Sequence, residues 1–299
     1  MGLLFATFAP PGTAPPVADS APEAGQTSLR WQQVASQAGW NTFATTVGMI
    51  DGQYQRNGDK INRLNEICGL IGSIGEQVGL AWAALQDANR WPAESSQGTV
   101  DEVLRRMAVR GLCEMSAHFT LGGAHGVANL VLRVLLLDDT AAATINSANE
   151  LSRGKGFPPG ATARQAWMTF SPKARWVNTL VEAASHTSAL QVLAAELVRL
   201  KGDHRFDALD QRRGMDYHRH RPQSGPQTAA GQPLSTNQTS GTAKIAIAAP
   251  HLDPAGDEQK VRAVASEGLA ALVETMKRLE QSLPAAIQSM ALRMPSFGS

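Results

Sequence analysis

The stretch DKINRLNEICGLIGSIGEQVGLAWAALQDAN, residues 59–89, decides the fold. Its Ile61, Leu64, Ile67, Cys68, Ile71, Ile74, Val78 and Trp82 recur at three- and four-residue steps, the period of an amphipathic helix and not of a strand. That spacing makes one wide apolar face, which other elements must cover. Glycines 69, 72, 75 and 79 fall inside the same pattern. They sit within a helix rather than after a strand, so they suit close helix packing and not a phosphate loop. The cost is up to about 1 kcal/mol each in helix propensity.

The flanking sequence repeats the helical period. Trp31, Val34, Ala38 and Phe43 predict a first helix. Ser95 to Asp101 supplies capping residues before Val103, Met107, Leu112 and Met115, a run that meets Gly122-Gly123, where a break or a close helix contact is expected. Val127 to Leu137 resumes as a nearly all-apolar helix with too little polar surface to lie half exposed, so it is expected at the centre of a bundle. Ser152 to Gly160 has loop composition, and Ser171-Pro172 predicts a helix start ahead of Trp176, Val177, Leu180, Val181 and Ala184. Leu190, Val192, Leu193, Leu197, Val198 and Leu200 predict a further helix, and Phe206 and Leu209 lead into an arginine–histidine segment that Pro222 closes.

Gln223 to Pro254 has the Gly, Pro, Ser, Thr and Gln content of a linker. Asp257 to Arg293 is helical again, with Val261, Val264, Leu269, Leu272, Val273, Met276, Leu279 and Leu283 on a face that needs the bundle or a second copy as its partner. Lys244 to Ala248 is a short strand-like run, and no internal repeat is visible. The fold class is all-α. The expected organisation is a disordered leader over residues 1–28, a helical bundle over 29–221, a flexible linker over 222–254 and a C-terminal amphipathic helix over 255–293.

Composition narrows the function classes. Against 26 acidic residues stand 27 lysines and arginines, a net charge of +1, so a polyanion partner must be met by a local patch. Cys68 and Cys113, 45 positions apart in apolar helical contexts, suit buried thiols in a reducing compartment. Met1 to Ala9 is apolar without the positive flank of a signal peptide, and Ala6 occupies the position where a myristoylation signal needs Ser or Thr. Val127 to Leu137 is broken by Arg133 and ends at Asp138-Asp139, so no apolar run is expected to approach the roughly 20 residues of a membrane span. A soluble, cytoplasmic protein without a membrane partner is expected.

The densest chemistry lies in RRGMDYHRHR, residues 212–221, with four arginines, two histidines, Asp216 and Tyr217 in ten positions. Arg213 and His218 form R-x4-H, and Arg212 adds R-x5-H. A histidine near neutral pKa can move a proton at a ribose 2′-hydroxyl, while an arginine can stabilise charge on phosphorus. Five residues along a helix separate two side chains by about 140°. Arg213 and His218 can therefore share a site only if the helix is irregular near Gly214 or a second subunit completes it.

In the helical context of residues 59–221, Arg213 and His218 resemble the HEPN superfamily, helical bundles whose nuclease members carry R-x4-6-H near the start of a late helix and usually act as dimers. The resemblance implies an RNA-binding protein or metal-independent ribonuclease, a homodimer, with His218 as acid/base and Arg213 as phosphate stabiliser. Arg212, Arg219 and Arg221 would clamp the RNA backbone beside His220, with Asp216 as orienter and Tyr217 as hydroxyl donor. Gly214 stands where that family often carries a polar residue, and Pro222 follows so closely that His218 closes a helix or lies in a loop.

The alternative is a non-catalytic helical interaction protein. In it, Arg219 and Arg221 cap a helix C-terminus, the segment pairs with acids such as Asp207, Asp210 and Asp216, and it binds a protein partner or stabilises the bundle. His118 and His125, seven apart with Glu114 nearby, could suggest zinc or iron, but no H-E-x-x-H is present and Gly122-Gly123 interrupts the spacing. Satisfied histidines in a polar seam are the favoured reading, as they are for His186 and His204. With no phosphate loop, no G-x-S-x-G and no cysteine beside a credible base, no cofactor or metal is implied.

Overall fold

The computed structural model describes residues 23–48, 53–91, 100–148, 167–218 and 254–298. Among these, the chain forms α1 (Ala24–Gly48), α2 (Gln53–Asn89), α3 (Val100–Leu135), α4 (Asp139–Ser147), α5 (Trp176–Ala184), α6 (Ser188–Lys201), α7 (His204–His218) and α8 (Pro254–Ser289), with no strand. The fold is an all-α bundle.

The apolar stripe of α2 is the organising surface. Ile67, Cys68, Ile71, Ile74, Val78 and Leu85 are buried, with α1 on one side and α3 on the other. The glycines in that stripe set the approach distances. A Cβ at Gly75 would lie 2.8 Å from the Ser28 carbonyl oxygen and 2.8 Å from Trp31 Cβ, and one at Gly79 would lie 2.6 Å from Ser28 Oγ. The Ser28 hydroxyl uses that proximity to donate to the Gly75 carbonyl at 2.7 Å. On the α3 side, a Cβ at Gly126 would meet Ile74 and one at Gly123 would meet Leu272 of α8 and Val78. Both neighbouring pairs run antiparallel by this register. The glycines serve packing, as the sequence predicts, although Gly69 has nothing within 4 Å.

The C-terminal helix packs against α3, α6 and α7, and its Val261, Leu269, Leu272, Met276, Leu279 and Leu283 join the same core. Side chains then tie it to the rest. Arg105 makes a bidentate pair with Glu258 at 3.1 and 2.8 Å. Arg262 donates to Glu258, and also to the carbonyls of Ala88, in the last turn of α2 where acceptors lack intrahelical partners, and of Trp91 just beyond it. Near its other end, Glu280 accepts from Arg30 Nε and from Trp31 Nε1. Ala291 follows the helix with φ of 58°, and the N–H groups of Ala291 and Leu292 close onto the Gln288 and Ile287 carbonyls, the Schellman pattern with alanine at the left-handed position.

Several expectations need correction. Ala24 to Ser28, assigned to a disordered leader, are helical, and Gly25 packs α1 so close to Trp82 that an added Cβ would lie 3.2 Å from its ring. Gly122-Gly123 does not interrupt α3, which runs unbroken from Val100 to Leu135; of the break and the close contact both expected there, the contact is the one that forms. Ser171-Pro172 makes a turn, with the Ala174 N–H on the Ser171 carbonyl, and α5 begins at Trp176. His186 lies in the turn between α5 and α6 rather than in a helix. Residues Asn62–Asn89 are long and apolar enough to cross a membrane by length and composition, contrary to the expectation from single apolar runs. In the bundle this segment carries the stripe that α1 and α3 cover. The loop at 152–160, the strand-like run at 244–248 and the linker lie outside the described residues.

Candidate functional site

Two places hold the residues singled out from the sequence. The first is α7. Phe206 and Leu209 are fully buried at its root, and Phe206 stacks at a tilt on Phe170 with ring centroids 5.4 Å apart. Gly268 of α8 admits Leu209 so closely that an added Cβ would lie 2.8 Å from its Cδ2. Arg205 clamps the same root, bonding Asp203 at 2.7 Å and both Glu274 oxygens at 2.8 Å. The guanidinium's hydrogen bonds hold the Asp203 and Glu274 carboxyls below their usual range. Past the half-buried Arg212, the backbone of Arg213 to His218 continues as helix and ends at His218.

That continuity has a geometric consequence. Along a regular helix five positions amount to about 140° around the axis, so the backbone places Arg213 and His218 on different faces of α7. Asp216 and Tyr217 lie on the same final turns, whereas Arg219, His220 and Arg221 lie outside the described residues.

The second place is a cleft of about 350 Å³ between α2 and α3, where the other sequence-noted pair, His118 and His125, meets. Leu70, Ile74 and Leu121 give apolar walls, Ser73 and Gln77 add polar groups, and Trp167 stands at the side, 55% exposed. Gly122 makes room for Gln77, since a Cβ there would approach the amide oxygen to 2.9 Å.

Trp167 is held by its neighbours. The fully buried Asn129 donates from Nδ2 to the Met168 carbonyl at 2.8 Å and accepts the Met168 N–H on Oδ1 at 2.9 Å. One turn earlier on α3, His125 Nδ1 accepts the Phe170 N–H at 2.9 Å. An imidazole nitrogen that accepts carries no proton, so the His125 ring hydrogen is on Nε2. Trp176 Nε1 donates to the Thr169 carbonyl, which fixes the next residue. The helix thus grips three consecutive peptide groups of an extended segment, as a neighbouring strand would.

His186 and the two cysteines serve the fold. His186 Nε2 lies 2.9 Å from Asp138 Oδ1, the carboxylate that caps α4 through the N–H groups of Thr140 and Ala141. Burial raises the Asp138 pKa, but the Ala141 N–H and His186 outweigh it and leave the carboxyl below its usual range. Cys68 and Cys113 are buried free thiols pushed up to about 12 by desolvation, far from the thiolate a nucleophile needs. Among the described residues no three His, Cys, Asp or Glu side chains converge to hold a metal.

Sequence reasoning missed Trp167, Asn129, Gln77 and Ser73. One signal was present: Asn129 is a lone amide inside an otherwise apolar run, and a buried amide is costly unless it is paired. Comparison with protein-family models, with curated proteins and with solved structures gives no match to this chain.

Proposed function

We propose that the chain is a HEPN-like RNA-binding protein that meets its ligand through the basic end of α7 and cleaves RNA, without metal, only when two copies bring Arg213 and His218 together. The observation that carries this reading is the continuity of α7 from its buried root at Phe206 and Leu209 to His218. A helix anchored at one end carries Arg212 and Arg213 on a fixed base, and the sequence from 212 to 221 holds four arginines against one aspartate. Such a local excess supports phosphate binding in a chain of net charge +1. The separation of Arg213 from His218 around the axis supports a composite site over a site within one copy.

The experiment is RNA binding and cleavage in EDTA, with oligomeric state measured alongside. The reading predicts salt-sensitive binding that Arg212→Ala and Arg213→Ala weaken, and cleavage that His218→Ala abolishes with binding retained. Mixing Arg213→Ala with His218→Ala protein should restore part of the cleavage, because a mixed dimer rebuilds one site. No RNA binding by the wild type refutes the proposal.

A second reading has a specific observation behind it. Arg30, Arg105, Arg205 and Arg278 each join a glutamate across two helices, so this chain already uses arginine as a carboxylate clamp. The α7 segment could grip a protein partner's carboxylates in the same way. It would then bind an acidic protein surface while leaving RNA unbound and uncleaved.

A further inference from the structure

The geometry points to a second binding site, independent of α7: we propose that the α2–α3 cleft beside Trp167 binds a neutral, bicyclic heteroaromatic ring of the purine class. Its size comes first. About 350 Å³ falls within the range of small-molecule pockets, and the walls of Leu70, Ile74 and Leu121 suit the faces of a ring.

Charge then narrows the ligand. Among the described residues no Asp, Glu, Lys or Arg lines the cleft, so an ionised group inside it meets no charged partner from these walls. The polar groups that do line it are hydrogen-bonding amide, hydroxyl and imidazole functions. Gln77 presents a donor and an acceptor side by side, the pair that matches the edge of an adenine ring. Gly122 is what lets that amide lie at the helix surface.

The tryptophan supplies the remaining surface. A tryptophan left 55% exposed is an expensive surface residue, yet here a fully buried asparagine and a histidine fix the backbone directly after it. Fixed in that way, Trp167 offers a flat face against which a bicyclic ring can stack without ordering a mobile loop. The clamp thus positions Trp167, and His125 acts in it through Nδ1.

Equilibrium dialysis of adenosine against the full chain tests this, with Trp167→Ala to remove the stacking face and Ser73→Phe to fill the cleft from its exposed rim. Both positions lie off the core, and unchanged circular-dichroism melting checks that each variant folds. The wild type should bind saturably and each variant about tenfold or more weakly, the effect of losing one stacked base. A wild type that does not bind adenosine, or either variant binding as the wild type does, overturns the proposal. Competition with oligoadenylate separates the ring's two sources: displacement assigns a base on a strand, and no displacement assigns a free nucleoside, the cleft being occupied in both cases.

Discussion

Asn129 and Met168 are joined in both directions, amide N–H to carbonyl at 2.8 Å and amide oxygen to N–H at 2.9 Å, with Asn129 entirely buried. Replacing it by leucine keeps the branched shape and strands two buried peptide groups, each costing about 1–3 kcal/mol. Asn129→Leu should therefore destabilise the protein by about 2–4 kcal/mol, measured as a lower urea midpoint. Asn129→Asp should also be destabilising, because a carboxylate accepts the Met168 N–H but has no hydrogen for its carbonyl.

Glycines of one helix should respond in opposite senses to the same substitution. Gly69 has open space around it, so Gly69→Ala should stabilise by up to about 1 kcal/mol through helix propensity. At Gly75 the new methyl meets the Ser28 carbonyl and Trp31 Cβ at 2.8 Å, and α1 must move away. Gly75→Ala should lower the melting temperature despite the same propensity gain.

Arginine at position 205 makes the root of α7 acid-sensitive. It holds the Asp203 and Glu274 carboxyls below their ordinary range, so their contribution is fully present above the unfolded-state carboxylate pKa, about 4. It is lost as pH falls through the depressed folded values. The stability gap between wild type and Arg205→Met should be constant from pH 7 to about pH 5 and shrink below pH 4, which thermal melts at stepped pH would record.

Alanine 291 holds a conformation better suited to glycine, with φ of 58° after the last turn of α8. A left-handed non-glycine residue costs about 1–2 kcal/mol, and the Leu292 N–H bond to the Ile287 carbonyl keeps it there. Ala291→Gly should stabilise by about 1 kcal/mol once the added chain entropy is counted. A differential scanning measurement giving a lower melting point would contradict it.

The periodicity in residues 59–89 was enough to make the bundle legible, because a buried stripe at 3.6-residue spacing has one structural solution. Boundaries were less so. Ser171-Pro172 has the chemistry of a helix start and of a turn alike, and only the seating of Phe170 and Trp176 in the core selects the turn. Gly122-Gly123 offers a break or a contact equally in one dimension; the partners Gln77 and Leu272, 45 residues before and 149 residues after the two glycines, make it a contact. The cleft was illegible for the same reason. His118 and His125 were visible as a pair, but Trp167 comes from a segment whose position depends on what Asn129 holds.

The tie between the ends of the bundle sets an order in time. Glu280 grips Arg30 and Trp31, and Leu272 fills the hollow over Gly123, so the core made by the first three helices stays open until α8 leaves the ribosome. Roughly 145 residues separate Leu135 from Glu280, which at about 5–20 residues per second is some 7–29 seconds of synthesis. Throughout that interval the nascent chain carries an uncovered apolar trough, and its yield in the cell depends on what shields that trough while translation finishes.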